Sequence, residues 1–270
     1  MSDVDKVFGG SIPDVYDDYL VPLIFETYAA DLAHRVVASK PKDVLETAAG
    51  SGVVTRALAP LLADDARYTV TDLNQPMLDR ATRRQPADTR ITWQQADALE
   101  LPFSDETFDV VCCQFGVMFF PDKVAGYRSA HRTLREGGRF IFNVWDRIEE
   151  NEFADSVTKT ASACFPDDPP LFLARTPHGY NDTALIEAQL IEAGFKNVEA
   201  QTITATSKAE SCRDPAVAYC QGTPLRNELD ARDPSKLEEV TDLAAADIER
   251  QFGAGPVSGK IQAHVFVATR

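Results

Sequence analysis

The sequence predicts an open α/β protein, a mostly parallel sheet covered by helices, and three observations predict it. Short apolar runs alternate with helix-spaced apolar residues between positions 42 and 145. The first run, Val44 and Leu45, is closed by Glu46 and followed at once by the small-residue turn TAAGSG. Acidic residues stand just beyond the next two runs, Asp72 and Asp97. In such a sheet the carboxyl ends of the strands form the edge at which ligands bind.

Residues 1 to 13 are polar and glycine-bearing, and their start is expected to be mobile. Beyond them Leu20, Ile24, Tyr28, Leu32 and Val36 recur every fourth residue and predict an amphipathic helix over 14–38. Pro22 is tolerable in it only near the first turn. The helix precedes the first strand and is expected to act as a lid over the ligand edge. Tyr16 and Tyr19, at its entrance, either pack the helix end or close a pocket.

Within TAAGSG, Gly50 and Gly52 can take positive φ and bring bare backbone against a bound group. Val53, Val54, Ala57, Leu58, Leu61 and Leu62 then predict a helix. The second strand, Tyr68 to Thr71, ends in Asp72, whose carboxylate is placed to accept hydrogen bonds from a ribose diol, the plainer roles being a helix N-cap or a surface acid. After the third strand, Ile91 to Gln94, Asp97 could take the exocyclic amine of an adenine and the Ala98 amide could donate to its ring. Met77 is either core or a soft platform for the adenine face.

The fourth strand, FDVVCC from Phe108 to Cys113, reads as a central strand of a parallel sheet. Gln114 at its end points to the same cleft, and Gly116 keeps the backbone beside it slim. Val117, Met118, Phe119 and Phe120 both wall a pocket and pack the next helix, which is expected from about Asp122 to Arg135. His131 lies on that helix's apolar stripe and is read as packed. Gly137 and Gly138 are expected to stop the helix and turn the chain into the fifth strand, RFIFNVWD.

From Arg147 the rhythm breaks. Residues 147–182 and 207–255 are expected as helical, substrate-side cap insertions in a single domain spanning 1–270. His178 either accepts a proton near neutral pH without a large pKa shift or caps the helix starting near Asn181. The last strand is placed at Lys260 to Thr269.

The chain holds 27 Lys plus Arg against 42 Asp plus Glu, a net charge of −15. That balance argues against nucleic acid and anionic membranes as partners and fits a small-molecule acceptor. The five cysteines, Cys112, Cys113, Cys164, Cys212 and Cys220, are unevenly spaced and are read as reduced thiols, with no metal site expected. The amino terminus lacks a signal-peptide pattern and no run reaches a membrane span, so the cytoplasm is the expected location.

With these residues in order, the chain resembles the class I S-adenosylmethionine-dependent methyltransferases, most of all the small-molecule branch that includes quinone-biosynthesis enzymes. The likeness rests on residues 40 to 145, with FGVMFFPD, LREGGR and AGF as further signatures. It implies a Rossmann-like seven-stranded sheet of order 3-2-1-4-5-7-6 with the last strand antiparallel, S-adenosyl-L-methionine as cofactor and S-adenosyl-L-homocysteine as product. By the same likeness Glu46 and the turn of Ala48, Ala49, Gly50 and Gly52 face the amino-acid part and sugar. Asp72 with Leu73 holds the ribose, Asp97 and Ala98 read the adenine beside Met77, and Gln114 lines the methionine and substrate side. Ala48 replaces the family's usual glycine and is expected at negative φ. The implied reaction is in-line methyl displacement by an O, C or N nucleophile, and the aromatic residues at 115–120 favour an apolar or aromatic acceptor. The alternatives are an NAD-dependent oxidoreductase, whose glycine fingerprint neither Val53 nor Thr55 completes, and a non-catalytic S-adenosylmethionine-binding protein.

Overall fold

Seven strands, β1 (Asp43–Glu46), β2 (Arg67–Asp72), β3 (Ile91–Gln95), β4 (Phe108–Gln114), β5 (Leu134–Trp145), β6 (Lys196–Ala209) and β7 (Val257–Thr269), form one sheet in the order β3-β2-β1-β4-β5-β7-β6. They are seen in a computed structural model that describes residues 12–270, so the mobility expected at the start of the chain concerns positions outside the described residues. β3, β2, β1, β4 and β5 pair in parallel. β7 runs against β5: Asp146 donates to the Gln262 carbonyl at 3.0 Å, whereas Arg270 donates to Gly138 at 3.0 Å. Position numbers therefore rise in one strand as they fall in the other, which is the antiparallel arrangement expected. Lying between two strands, β7 is buried on both faces from Ala263 to Phe266, and this is why its alternation reads poorly in sequence.

By packing, the chain divides into two units. One takes the residues up to Phe25, Trp145–Tyr180 and Ile203–Ala263; the other takes Glu26–Val144, Asn181–Thr202 and His264–Arg270.

In the second of these, α2 (Glu26–Val37) buries Tyr28, Leu32 and Val36, and α3 (Val53–Leu58), α4 (Gln75–Arg84), α5 (Lys123–Thr133) and α8 (Thr183–Glu192) complete the helices. The apolar run of β4 is fully inaccessible from Val110 to Cys113. Tyr127 of α5 meets Phe142 with ring centroids 5.5 Å apart, and Phe142 stacks on Phe266 of β7 at 5.1 Å. At the amino edge Asp109 accepts the Lys42 and Asp43 amides at 2.9 Å each and pairs with Arg135 at 2.6 Å, tying the starts of β1, β4 and β5 together. The Asp109 carboxyl is held below its usual range because these donors outweigh its partial burial.

The other unit is mostly helical and also holds the end of β6 from Ile203 and the start of β7 up to Ala263. α1 (Ile12–Val15) leads into a π-helical stretch, Tyr16–Phe25. Beyond it come α6 (Glu152–Cys164), α7 (Phe172–Arg175), α9 (Arg213–Gln221), α10 (Leu225–Arg232) and α11 (Leu237–Phe252). Phe153, Val157 and Ala161 of α6 share a core with Ala216 and Cys220 of α9 and Val240, Ala244 and Ile248 of α11, all inaccessible. Phe153 also meets Phe252 at 5.1 Å.

Two local expectations are corrected. The stripe from Leu20 to Val36 is buried as expected, but Pro22 sits mid-way along the π stretch rather than in a first turn. The wider i→i+5 winding accommodates a residue that lacks an N–H and whose ring would clash with the i−4 carbonyl of an α-helix. Gly137 and Gly138 do not stop a helix either. α5 ends at Thr133, β5 starts at Leu134, and Gly137 takes φ 74 within the strand. The pairing of β5 with β4 is irregular there, because Gly137 and Gly138 turn to Arg270 at the end of β7. All five cysteines are free thiols. Among the described residues no helix is long and apolar enough to cross a membrane.

Candidate cofactor site

The parallel register brings Glu46, Asp72, Gln95, Gln114 and Asn143 to one carboxyl edge: Glu46 faces Val70 and Cys112, Asp72 faces Gln95, and Gln114 faces Asn143. The small-residue turn hangs between the neighbouring strands. Thr47 donates to the Cys112 carbonyl of β4 at 2.9 Å, and Ala49 donates to the Thr71 carbonyl of β2 at 3.0 Å. Fixed on both sides, the turn alternates into the left-handed region at Ala48 (φ 52), Gly50 (φ 56) and Gly52 (φ 80). The expectation of a negative φ at Ala48 is therefore corrected. The two strand anchors dictate the backbone, and the alanine bears a left-handed conformation that costs about 1–2 kcal/mol. Its methyl fits because Gly116 lacks one: a Cβ built at Gly116 would lie 2.5 Å from Ala48 Cβ.

Asp72 is 6 % exposed and holds two backbone donors, Gly50 N–H at 2.8 Å on one carboxylate oxygen and Asn74 N–H at 2.7 Å on the other. Burial holds its pKa above the ordinary carboxylate value, and the Asn74 and Gly50 amides offset only part of that rise. Leu73 beside it is 47 % exposed, an apolar side chain presented at the edge. Met77, on α4, is buried, and a Cβ on Gly50 would lie 3.7 Å from its terminal methyl, so it packs directly beside the turn. Asp97 is exposed and accepts the Leu99 amide at 2.9 Å, while Ala98 is half-buried. All these residues belong to the unit that contains Glu26–Val144.

Glu46 is turned into the protein. Its Oε2 accepts from Thr55 at 2.7 Å and from the Tyr68 hydroxyl, and its carboxyl is pushed up to about 7 by burial, against the pull of Tyr68, Thr55 and Arg56. The Tyr68 phenol is raised well above its ordinary value by burial and the neighbouring acid, so it stays a neutral donor. A folded-state pKa above the ordinary 4.5 means that Glu46 favours folding most below pH 4.5 and loses that contribution as pH rises through 7. Glu46→Gln, which keeps the acceptor oxygen and cannot ionise, should gain stability relative to the unaltered protein by roughly 3 kcal/mol between pH 5 and 8. Urea denaturation at several pH values checks this; a constant difference would contradict it.

Tyr16, Tyr19 and His178 belong to the other unit. Tyr16 packs on Phe25 at 5.2 Å, and Tyr19 is 40 % exposed. His178 is buried, with Nδ1 2.8 Å from the Asp146 carbonyl and its ring 5.9 Å from that of Trp145. Burial pushes the imidazole down to about 4, which corrects the expectation of an unshifted base. It is no helix cap: Asp182 caps α8, accepting from Ala184 and Leu185.

Sequence reasoning passed over Ser51, Thr55, Tyr68 and Asn143. Ser51 Oγ lies inside the turn, buried and without a protein partner. Tyr68 carried a usable signal, since a tyrosine inside a parallel strand must find a partner for its hydroxyl. Asn143 had one too, as the sole polar residue in the apolar run FIFNVW.

The strand order and the edge it builds define a class I, Rossmann-like methyltransferase fold. Residues 45–142 match the family described as a methyltransferase domain. The chain is 28% identical over 177 residues to a demethylmenaquinone methyltransferase of Clavibacter sepedonicus, an alignment covering 60% of this chain and 69% of that protein. It is 26% identical over 174 residues, with the same coverage, to the ubiquinone/menaquinone biosynthesis C-methyltransferase UbiE of Klebsiella pneumoniae. The phosphoethanolamine N-methyltransferase 2 of Haemonchus contortus, solved with S-adenosyl-L-methionine, shares the fold at a TM-score of 0.59 and 15% identity, covering 99% of this chain and 59% of its own. The chain carries a methyltransferase domain and resembles the class I S-adenosylmethionine-dependent methyltransferases of quinone biosynthesis.

Proposed function

We propose that this enzyme methylates a small apolar or aromatic acceptor in the cytoplasm, with a ring carbon of a quinone-type molecule as the favoured nucleophile over oxygen or nitrogen. The carbon preference follows the names of the relatives, one acting on demethylmenaquinone and one a C-methyltransferase. S-adenosylmethionine, when bound, supplies the sulfonium-borne methyl that is displaced.

Asp72 is the observation that carries the cofactor assignment. A carboxylate offers about four lone-pair sites. The Gly50 and Asn74 amides fix its orientation, and a carboxylate so held at the strand end suits the hydroxyls of a ribose. Around it the fit is chemical. The left-handed turn is half-buried at Gly50, whereas Gly52 is buried against Ala81 of α4, and Ser51 offers a buried hydroxyl without a protein partner to the amino-acid end. Leu73 and Met77 supply apolar surface for the adenine, Asp97 and Ala98 its polar edge, and Gln114 the methionine side. Glu46 supports the turn from beneath, through Thr55 and Tyr68. For methyl transfer the protein's task is alignment and exclusion of water, so a general base is not required. The reading rests on none of Tyr16, Tyr19 and His178.

A ligand at 100 times its Kd adds about 2.7 kcal/mol of stability. S-adenosylhomocysteine should therefore raise the melting temperature by several degrees, and NAD should leave it unchanged. The reverse result would sink the assignment, and transfer of labelled methyl to a panel of quinols, phenols and amines identifies the nucleophile.

A further inference from the structure

Asn143 stands near the carboxyl end of β5, opposite Gln114, and is fully inaccessible to solvent. Its Oδ1 accepts the Phe115 amide at 2.9 Å. That donor fixes the side-chain amide's orientation, because the atom facing an N–H must be the oxygen. Nδ2, at the other end, is buried and donates to no protein atom. The side chain is not needed to satisfy Phe115, whose amide also reaches the Asn143 main-chain carbonyl at 3.3 Å. Its neighbours Ile141, Phe142 and Val144 are apolar and equally buried, so a leucine would suit the strand. A buried donor without a partner costs about 1–3 kcal/mol.

The position is also where the backbone is strained. Phe115, which Asn143 grips, takes φ 50, and Ala48 at the end of adjacent β1 takes φ 52, both non-glycine residues in the left-handed region. Strain of this kind gathers where ligands are held. Apart from Gln114, which ends β4 and is placed on the methionine and substrate side, the candidate cofactor residues lie at the ends of β1, β2 and β3 or just beyond them, and β4 and β5 lie on the opposite side of β1 in the sheet. A donor at the end of β5 therefore serves the half of the edge left to the methyl acceptor.

We propose that Asn143 Nδ2 donates a hydrogen bond to a ring oxygen, a carbonyl or a phenolic oxygen, of the methyl acceptor and so sets which ring atom meets the methyl group. The proposal rests on the methyl-transfer reading above. The bond selects oxygenated rings over bare hydrocarbons of the same shape, since a site with a buried donor rejects a ligand that leaves it unmatched.

The test compares the unaltered enzyme with Asn143→Leu and, should that variant fold poorly, Asn143→Ala. The probes are 1-naphthol, 2-hydroxy-1,4-naphthoquinone and naphthalene, titrated by calorimetry with S-adenosylhomocysteine saturating. The unaltered enzyme should bind the oxygenated probes at least about 10-fold more tightly than naphthalene, which is about 1.4 kcal/mol. In Asn143→Leu that preference should vanish while S-adenosylhomocysteine affinity holds and the melting temperature stays level or rises. Three results would overturn the proposal: equal preference in the variant, no binding of either oxygenated probe by the unaltered enzyme, or weakened S-adenosylhomocysteine binding in the variant, which gives the donor to the cofactor. A lower melting temperature with the preference intact makes Asn143 purely structural and also overturns it. Failure of the unaltered enzyme to bind S-adenosylhomocysteine overturns the methyl-transfer reading and this proposal with it.

Discussion

Asp72→Ala is expected to weaken S-adenosylhomocysteine binding by about 100-fold. Two charge-assisted hydrogen bonds to a diol contribute about 1.5 kcal/mol each, and their sum corresponds to that factor. The same change leaves the Gly50 and Asn74 amides without the acceptor that now holds them at 2.8 and 2.7 Å, so the turn loses part of its preorganisation before any ligand arrives. Asp72→Asn separates the two contributions. It keeps the volume and one acceptor oxygen, so it should retain most of the melting temperature while losing about 10-fold in affinity, since the charge and one acceptor are gone. Calorimetry on the three proteins decides. An unchanged dissociation constant in Asp72→Ala removes the ribose assignment, and an equal fall in stability for both variants makes Asp72 a support of the turn only.

Much of this edge was legible because its signals are local. A strand, an acid and a small-residue turn occupy eleven consecutive positions, 42 to 52, and the next acid stands where a parallel strand must end. What escaped the sequence was decided across the sheet. Ala48 follows an L-residue rule in isolation, yet Thr47 bound to Cys112 and Ala49 bound to Thr71 leave position 48 no other conformation. The glycine pair at 137 and 138 reads as a helix stop until β7 arrives more than a hundred residues later to bond it through Arg270. Glu46 looked like a ligand-facing acid, whereas Tyr68, in the adjacent strand, and Thr55, in the following helix, draw its carboxylate beneath the turn. The strand order itself was read through the family likeness rather than from spacing, because nothing in the last strand's own pattern says between which neighbours it inserts.

Gly116→Ala is expected to destabilise the enzyme by about 3 kcal/mol, toward the upper end of what overpacking costs. Gly116 has φ −98, so its need for glycine is steric and not conformational. The added methyl would lie 2.5 Å from Ala48 Cβ and 2.7 Å from Cys113 Sγ. A Cβ cannot swing away without its backbone, and Ala48 is held by the anchors on either side of it, so the collision is relieved only by parting the turn from the loop after β4. That movement displaces the surface proposed to hold the methionine end, so S-adenosylhomocysteine affinity should fall along with stability. Ala48→Gly alone should change stability by less than about 1 kcal/mol, since relief of left-handed strain offsets the lost methyl contact. In the double variant the closest collision is gone and only Cys113 Sγ remains, so Gly116→Ala should cost at least about 1 kcal/mol less on the Ala48→Gly background. Urea denaturation of the four proteins measures this coupling. Strictly additive effects would mean that the turn and the β4 loop do not set each other's position, and that Ala48 is tolerated for a reason other than the missing side chain at 116.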